Sequence, residues 1–185
     1  MMENFVRMVH RINKFFANIA GILMILSVLL IITETIVRTV FNSTIYITSE
    51  YTGYFLVAMT YLGLAYTLKE KGHIKMAFLS KVLKGEKGRI YLDLYTYIIG
   101  LVAFSIILVA TFQFFMDSVI SGTQSMQISK TYLMIPQSIL PIGSLLMILQ
   151  FLSEMIQSLQ KLKSGNIQQM DEAKSEFDEF EALGR

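Results

Sequence analysis

An uncharged apolar run fills residues 51–68, and a cluster of cations follows it: Lys69, Lys71, Lys75, Lys81, Lys84, Lys87 and Arg89, opposed only by Glu70 and Glu86. Roughly 20 apolar residues let a helix cross the hydrocarbon of a bilayer. A cationic segment next to such a run stays on the cytoplasmic side. Further apolar runs lie at about 15–40, 90–116 and 135–156. The expectation is therefore an all-α membrane protein with four transmembrane helices, residues 1–160, and a polar, acidic cytoplasmic tail, 161–185. Only 16% of the residues are charged, against about a quarter in soluble domains. A soluble fold is excluded on that ground.

Charge distribution sets the expected orientation. Arg7, Arg11 and Lys14 precede the first run, and Lys161 and Lys163 follow the fourth. Between the first and second runs Arg38 stands alone at the edge, and between the third and fourth there is only Lys130. Both termini and the central connection are thus expected in the cytoplasm. In the central connection, Met76, Phe78, Leu79, Val82 and Leu83 share one helical arc opposite Ser80, Lys81 and Lys84. This predicts an interfacial amphipathic helix over about 76–84, bounded by Gly72 and Gly85. Residues 1–14 fit a second short helix on the membrane surface.

Charges near the spans are candidates for contact. Glu34 lies 20 residues beyond Lys14, roughly 30 Å along a helix, so Glu34 and Arg38 sit at the outer interface. Their i,i+4 spacing permits an ion pair; contact with a partner protein is the alternative. Ser49 is placed to cap the second helix, with Glu50 in its first turn facing the positive end of the dipole. Gly63 offers close helix packing. Pro136 suits a first helical position. Pro141, unable to donate to the carbonyl of Gln137, predicts a bend, and Gly143 beside it admits another backbone.

The chemistry of most membrane enzymes has no residues to carry it. Cysteine is absent, which removes disulfides and thiol redox sites. The two histidines, His10 and His73, fall in connections, so haem ligation within the spans and a Ser–His pair are both missing. No HExxH-like pair occurs. The basic segment is laced with apolar residues and does not suit nucleic acid. No catalytic residue, cofactor or metal is expected. No carboxylate maps to a span midplane, as a proton-coupled exporter would need. A stand-alone four-span exporter or channel remains the alternative to a bundle built for contact.

In their order, Glu34 and Arg38, Glu50, Gly63, the Gly72-His73-Ile74 sequence with Lys75, and Pro136, Pro141 and Gly143 form a pattern. It resembles the small, Q-type (DctQ-like) membrane subunit of the tripartite ATP-independent periplasmic (TRAP) transporters, over about residues 10–160. Ile47 and Thr48 stand where that family often has a tryptophan. The resemblance implies a non-catalytic scaffold within a heteromeric, sodium-coupled importer of organic acids such as C4-dicarboxylates or sialic acid. The implied partners are a large M-type membrane transport subunit, which would bind the sodium, and a periplasmic substrate-binding protein. It further implies that Glu50 and the outer turns help dock the binding protein. His73 and its basic neighbours would rest near membrane phospholipids, with a hydrogen-bonding turn as the plainer role for His73.

Overall fold

The structure, a computed structural model, describes residues 2–70 and 86–164. Gly72, His73 and Lys75, the amphipathic helix expected over 76–84 and the acidic segment from 165 onward lie outside the described residues. The order is α1 (Met2–Phe41), α2 (Ile47–Lys69), α3 (Glu86–Ser121), a single turn α4 (Met134–Gln137) and α5 (Ile139–Ser164). Among the described residues three stretches are long and apolar enough to cross a membrane: Asn4–Phe41, Ile90–Ser121 and Met134–Gln160. The 23-residue α2 is long enough, but Tyr51, Tyr54, Tyr61 and Tyr66, with four threonines, make it less apolar.

α1 departs from the expected pattern. Its 40 residues form one helix, about 60 Å long, so residues 2–14 are its first turns rather than a separate surface helix. The physical reason is tertiary: Val9 and Asn13 are buried, and no proline or glycine interrupts the helix before Gly21. At 36 residues, α3 likewise exceeds the hydrocarbon thickness.

The beginning of α2 also differs. Tyr46 stands at the cap position and makes no side-chain capping bond. Ser49, the expected cap, is already inside the helix. A local substitute exists, because the Thr48 amide donates to the Ile45 carbonyl at 3.0 Å.

The fourth apolar run breaks at Ser138, three residues before Pro141. The break is a consequence of that proline, since the carbonyl of Gln137 loses its i+4 donor. Pro141 therefore sits in the first turn of α5, where a missing N–H does least harm. Pro136 is the third residue of α4 rather than its first.

Two helix pairs make the bundle: α1 lies on α2, and α3 lies on α5. The pairs join where α2 meets α5. Ala20, Leu62, Ala65, Leu68, Leu146, Met147 and Phe151 form the core there. Gly143 permits the closest approach. A Cβ on it would fall 2.7 Å from the Cβ of Tyr61 and 2.8 Å from the Tyr61 carbonyl oxygen. Gly63 is different, because an added Cβ would meet only the Cβ of Ala20 at 3.9 Å. The outward faces of α1 and α3 remain apolar and exposed, including Ile22, Ile25, Leu29 and Ile32 on α1 and Ile98, Val102, Ile106 and Val109 on α3. Such faces require lipid or protein cover.

The two glycines give opposed expectations. Gly143→Ala forces the α2 backbone to shift and should destabilise the bundle by about 1–3 kcal/mol, whereas Gly63→Ala should be close to neutral. Thermal unfolding in detergent, followed by size-exclusion chromatography, measures both. Equal effects would contradict this packing.

Candidate functional site

Two carboxylates are buried at the end of the bundle where α1 turns into α2. Glu34 is 6% exposed and Glu50 is 8% exposed. A carboxylate removed from water without partners costs several kcal/mol, so each is informative. Glu34 Oε1 accepts from Arg38 Nη2 at 2.6 Å and from Nε at 3.2 Å. Its Oε2 accepts the Ile45 backbone N–H at 2.7 Å, with Thr48 Oγ1 at 3.5 Å. The expected Glu34–Arg38 pair thus forms, and it does more than neutralise charge. One carboxylate on α1 holds the backbone that enters α2.

Glu50 holds a different segment. Its Oε1 accepts from the Tyr54 hydroxyl at 2.7 Å, one helical turn on. Its Oε2 accepts from the hydroxyl of Ser129, which belongs to the connection between α3 and α4. Beside it, Tyr51 and Thr131 hydroxyls are bonded at 3.2 Å, and Thr131 Oγ1 donates to Ser129 Oγ at 3.0 Å.

The connection has backbone order of its own. Ser125 N donates to the Thr131 carbonyl at 2.8 Å, and Leu133 N donates to the Thr123 carbonyl at 3.0 Å. These bonds flank an antiparallel bridge between Gln124 and Tyr132. Lys130 takes a left-handed φ of 47° to close the turn, and Met126 and Ile128 project from it, exposed. Thr48 and Glu50 both belong to the first turn of α2, so that turn joins both locks. The result is one stitched surface carrying Glu34, Arg38 and Glu50.

The opposite end holds a cluster that the sequence reasoning missed. Asn13 Nδ2 donates to Gln150 Oε1 at 2.6 Å, and Gln150 Nε2 donates to Glu154 Oε1 at 2.7 Å. Asn13, Gln150 and Ser153 are fully buried, and this chain of amides ties α1 to α5. The available signal was the spacing of Gln150, Ser153 and Glu154 on one helical face. Close by, α2 ends at Lys69, whose Nζ lies 2.9 Å from Glu70 Oε1. That ammonium, and then Tyr66, hold the Glu70 carboxyl below the usual carboxylate range.

The remaining expected residues serve packing and backbone course. Gly143 meets α2, Gly63 faces α1, Pro141 is buried in the first turn of α5, and Pro136 is half-buried in α4. Among the described residues no group of three or more His, Asp or Glu gathers as a metal site. What the stitched surface does chemically is hold two turns in fixed places.

A chain whose described residues form helices, several of them apolar and of membrane length with exposed apolar faces, is a multi-pass membrane protein. The family model for the DctQ component of tripartite ATP-independent periplasmic transporters matches residues 27–161. This is well over half of the chain, and the protein belongs to that family. The resemblance drawn from Glu34, Glu50, Gly63, Pro136, Pro141 and Gly143 leads to the same family, which makes the chain a component of a TRAP transporter. The match begins at residue 27, so Asn13 lies outside it while Gln150 and Glu154 lie inside. Comparison with curated proteins gives no match, and comparison with solved structures gives none.

Each lock has its own test. Ser129→Ala leaves a buried carboxylate short of a donor and should cost about 1–3 kcal/mol. Amide hydrogen exchange should rise across 122–133 and remain unchanged in α5; no change in the connection would remove Glu50 from its lock. A double-mutant cycle of Asn13→Leu and Gln150→Leu should give a coupling energy of about 1 kcal/mol, within the range for contacting polar pairs. Additive effects would contradict the bond.

Proposed function

We propose that this chain is the non-catalytic scaffold of a sodium-coupled TRAP importer of organic acids, the class that includes C4-dicarboxylates and sialic acid. One observation carries the proposal. The buried Glu34 and Glu50 clamp the interhelical turns at one end, while long apolar faces on α1 and α3 stay uncovered. A rigid frame with open apolar flanks suits bracing a larger membrane subunit, the one in which sodium and substrate bind. Membership in a tripartite family supplies the need for such a brace.

In this reading α2 is a fourth span, because its 23 residues make about 35 Å of helix. Both termini lie in the cytoplasm of a bacterium, as the Lys and Arg distribution favours. The Glu34–Glu50 end then faces the periplasm, where its stitched turns help dock the substrate-binding protein. His73, Lys75 and the basic segment around them rest against phospholipid headgroups on the other side and fix the depth of the frame.

Uptake reconstituted in liposomes with the large subunit and the binding protein should fall at least tenfold without this chain. Full transport by the large subunit alone would overturn the scaffold reading. Lys81→Cys in the cysteine-free chain should react with an impermeant maleimide only from the cytoplasmic side, and periplasmic labelling would reverse the topology.

A further inference from the structure

At the end of the bundle away from Glu34 and Glu50, three polar atoms are buried without a hydrogen-bond partner among the described residues: His10 Nε2, Asn13 Oδ1 and Ser153 Oγ. Asn13 and Ser153 are wholly enclosed. The orientation of the Asn13 amide follows from its neighbours. Gln150 Nε2 donates to the Glu154 carboxylate, an acceptor, so Gln150 presents its Oε1 to α1. That oxygen needs a donor, and Asn13 Nδ2 supplies it at 2.6 Å. What remains of the Asn13 amide is its oxygen, which can only accept. Ser153 differs from Ser144 on the same helix, whose hydroxyl returns to the Leu140 carbonyl at 2.8 Å. The Ser153 hydroxyl makes no such bond.

Helix register brings these atoms to one level. α1 and α5 run antiparallel, since Asn13 meets Gln150 while Ala20 shares a core with Leu146 and Met147. His10 comes three residues before Asn13, and Ser153 three residues after Gln150. Each step is about 4.5 Å along its helix, and both lead the same way. One turn beyond the Asn13–Gln150 bond, a histidine on α1 therefore stands level with a serine on α5.

We infer that a buried water molecule joins α1 to α5 at this level. It donates to Asn13 Oδ1, accepts from the Ser153 hydroxyl and takes His10 Nε2 as its third partner. The chemistry selects water. Asn13 Oδ1 needs a donor and the Ser153 O–H needs an acceptor, and water is both, while an imidazole nitrogen pairs with either role. A cation would bind the two oxygens and leave the hydroxyl proton with no acceptor. An acyl chain answers none of the three. About three protein partners is the usual complement of a buried water. The site adds a second tie to the amide chain and holds the first turns of α1, which precede the family match, against α5 within it.

A structure of the full transporter complex in lipid nanodiscs tests this, at a resolution that shows ordered water elsewhere in the protein. The expected result is a peak about 2.5–3.2 Å from Asn13 Oδ1, Ser153 Oγ and His10 Nε2. A dry contact overturns the inference, and so does a peak at shorter, ion-like distances from both oxygens. A peak that leaves out His10 Nε2 overturns the part given to the histidine.

Ser153→Ala puts the same question in solution with little change of shape. Deleting an unpaired hydroxyl relieves a buried polar group, whereas deleting one that holds the water removes a bond. Reversible unfolding of the full chain in mixed micelles should show the folding equilibrium lowered about fivefold. An unchanged or raised equilibrium overturns the inference. Made in an Asn13→Leu chain, which lacks the other half of the bridge, Ser153→Ala should cost less than about twofold. A full fivefold loss there would place the partner of Ser153 on its own helix and overturn the shared water.

Discussion

Burying a carboxylate where the chain reverses direction is the constraint on which this bundle depends. Glu34 and Glu50 are both largely removed from water, and each must be supplied with donors or the fold pays for an isolated charge. Each has one donor a turn along its own helix, Arg38 or Tyr54, and a second from another segment: the amide of Ile45 for Glu34 and the hydroxyl of Ser129 for Glu50. Satisfying the charges therefore fixes the α1–α2 turn and the α3–α4 connection against the helices. Electrostatic necessity at one end becomes mechanical definition of the surface.

The middle of the bundle follows a different rule. Helices in a bilayer gain little from hiding apolar surface, so close backbone contact and interhelical bonds decide which faces meet. Gly143 lets α5 reach the Tyr61 backbone, and Gly100 leaves room for the Phe151 ring. Phe151 in turn lies beside Tyr97 and Phe104, which secures α3. Where neither small residues nor polar bonds operate, on the outer faces of α1 and α3, none of the described residues covers the surface. A component of a tripartite transporter has a use for such faces.

Much of this was legible from residue order. The apolar runs located the helices, and the Glu34–Arg38 spacing located a real ion pair. Local rules failed where a remote group did their work. Ser49 looks like a cap, yet the Glu34 carboxylate, 11 residues before Ile45, holds the entry to α2. Glu50 reads as a dipole-pairing acid, but its second oxygen is met by a serine 79 positions away, a relation that no periodicity encodes. The bend attributed to Pro141 falls at Ser138 because the lost bond belongs to the preceding turn. Asn13 and Gln150 escaped notice because they lie 137 positions apart on different helices, so the polar face of α5 gains its meaning only beside α1.

The proposed scaffold requires its stitched end to stay rigid while the transporter works. Since the chain has no cysteine, spin labels can be placed at Asn42→Cys in the α1–α2 turn and at Lys130→Cys in the α3–α4 connection. Pulsed electron paramagnetic resonance on the assembled complex would then give the distance between the two turns. A fixed frame gives one narrow distance that is unchanged by substrate, sodium and the loaded binding protein. A broad distribution, or a shift between those states, would contradict it.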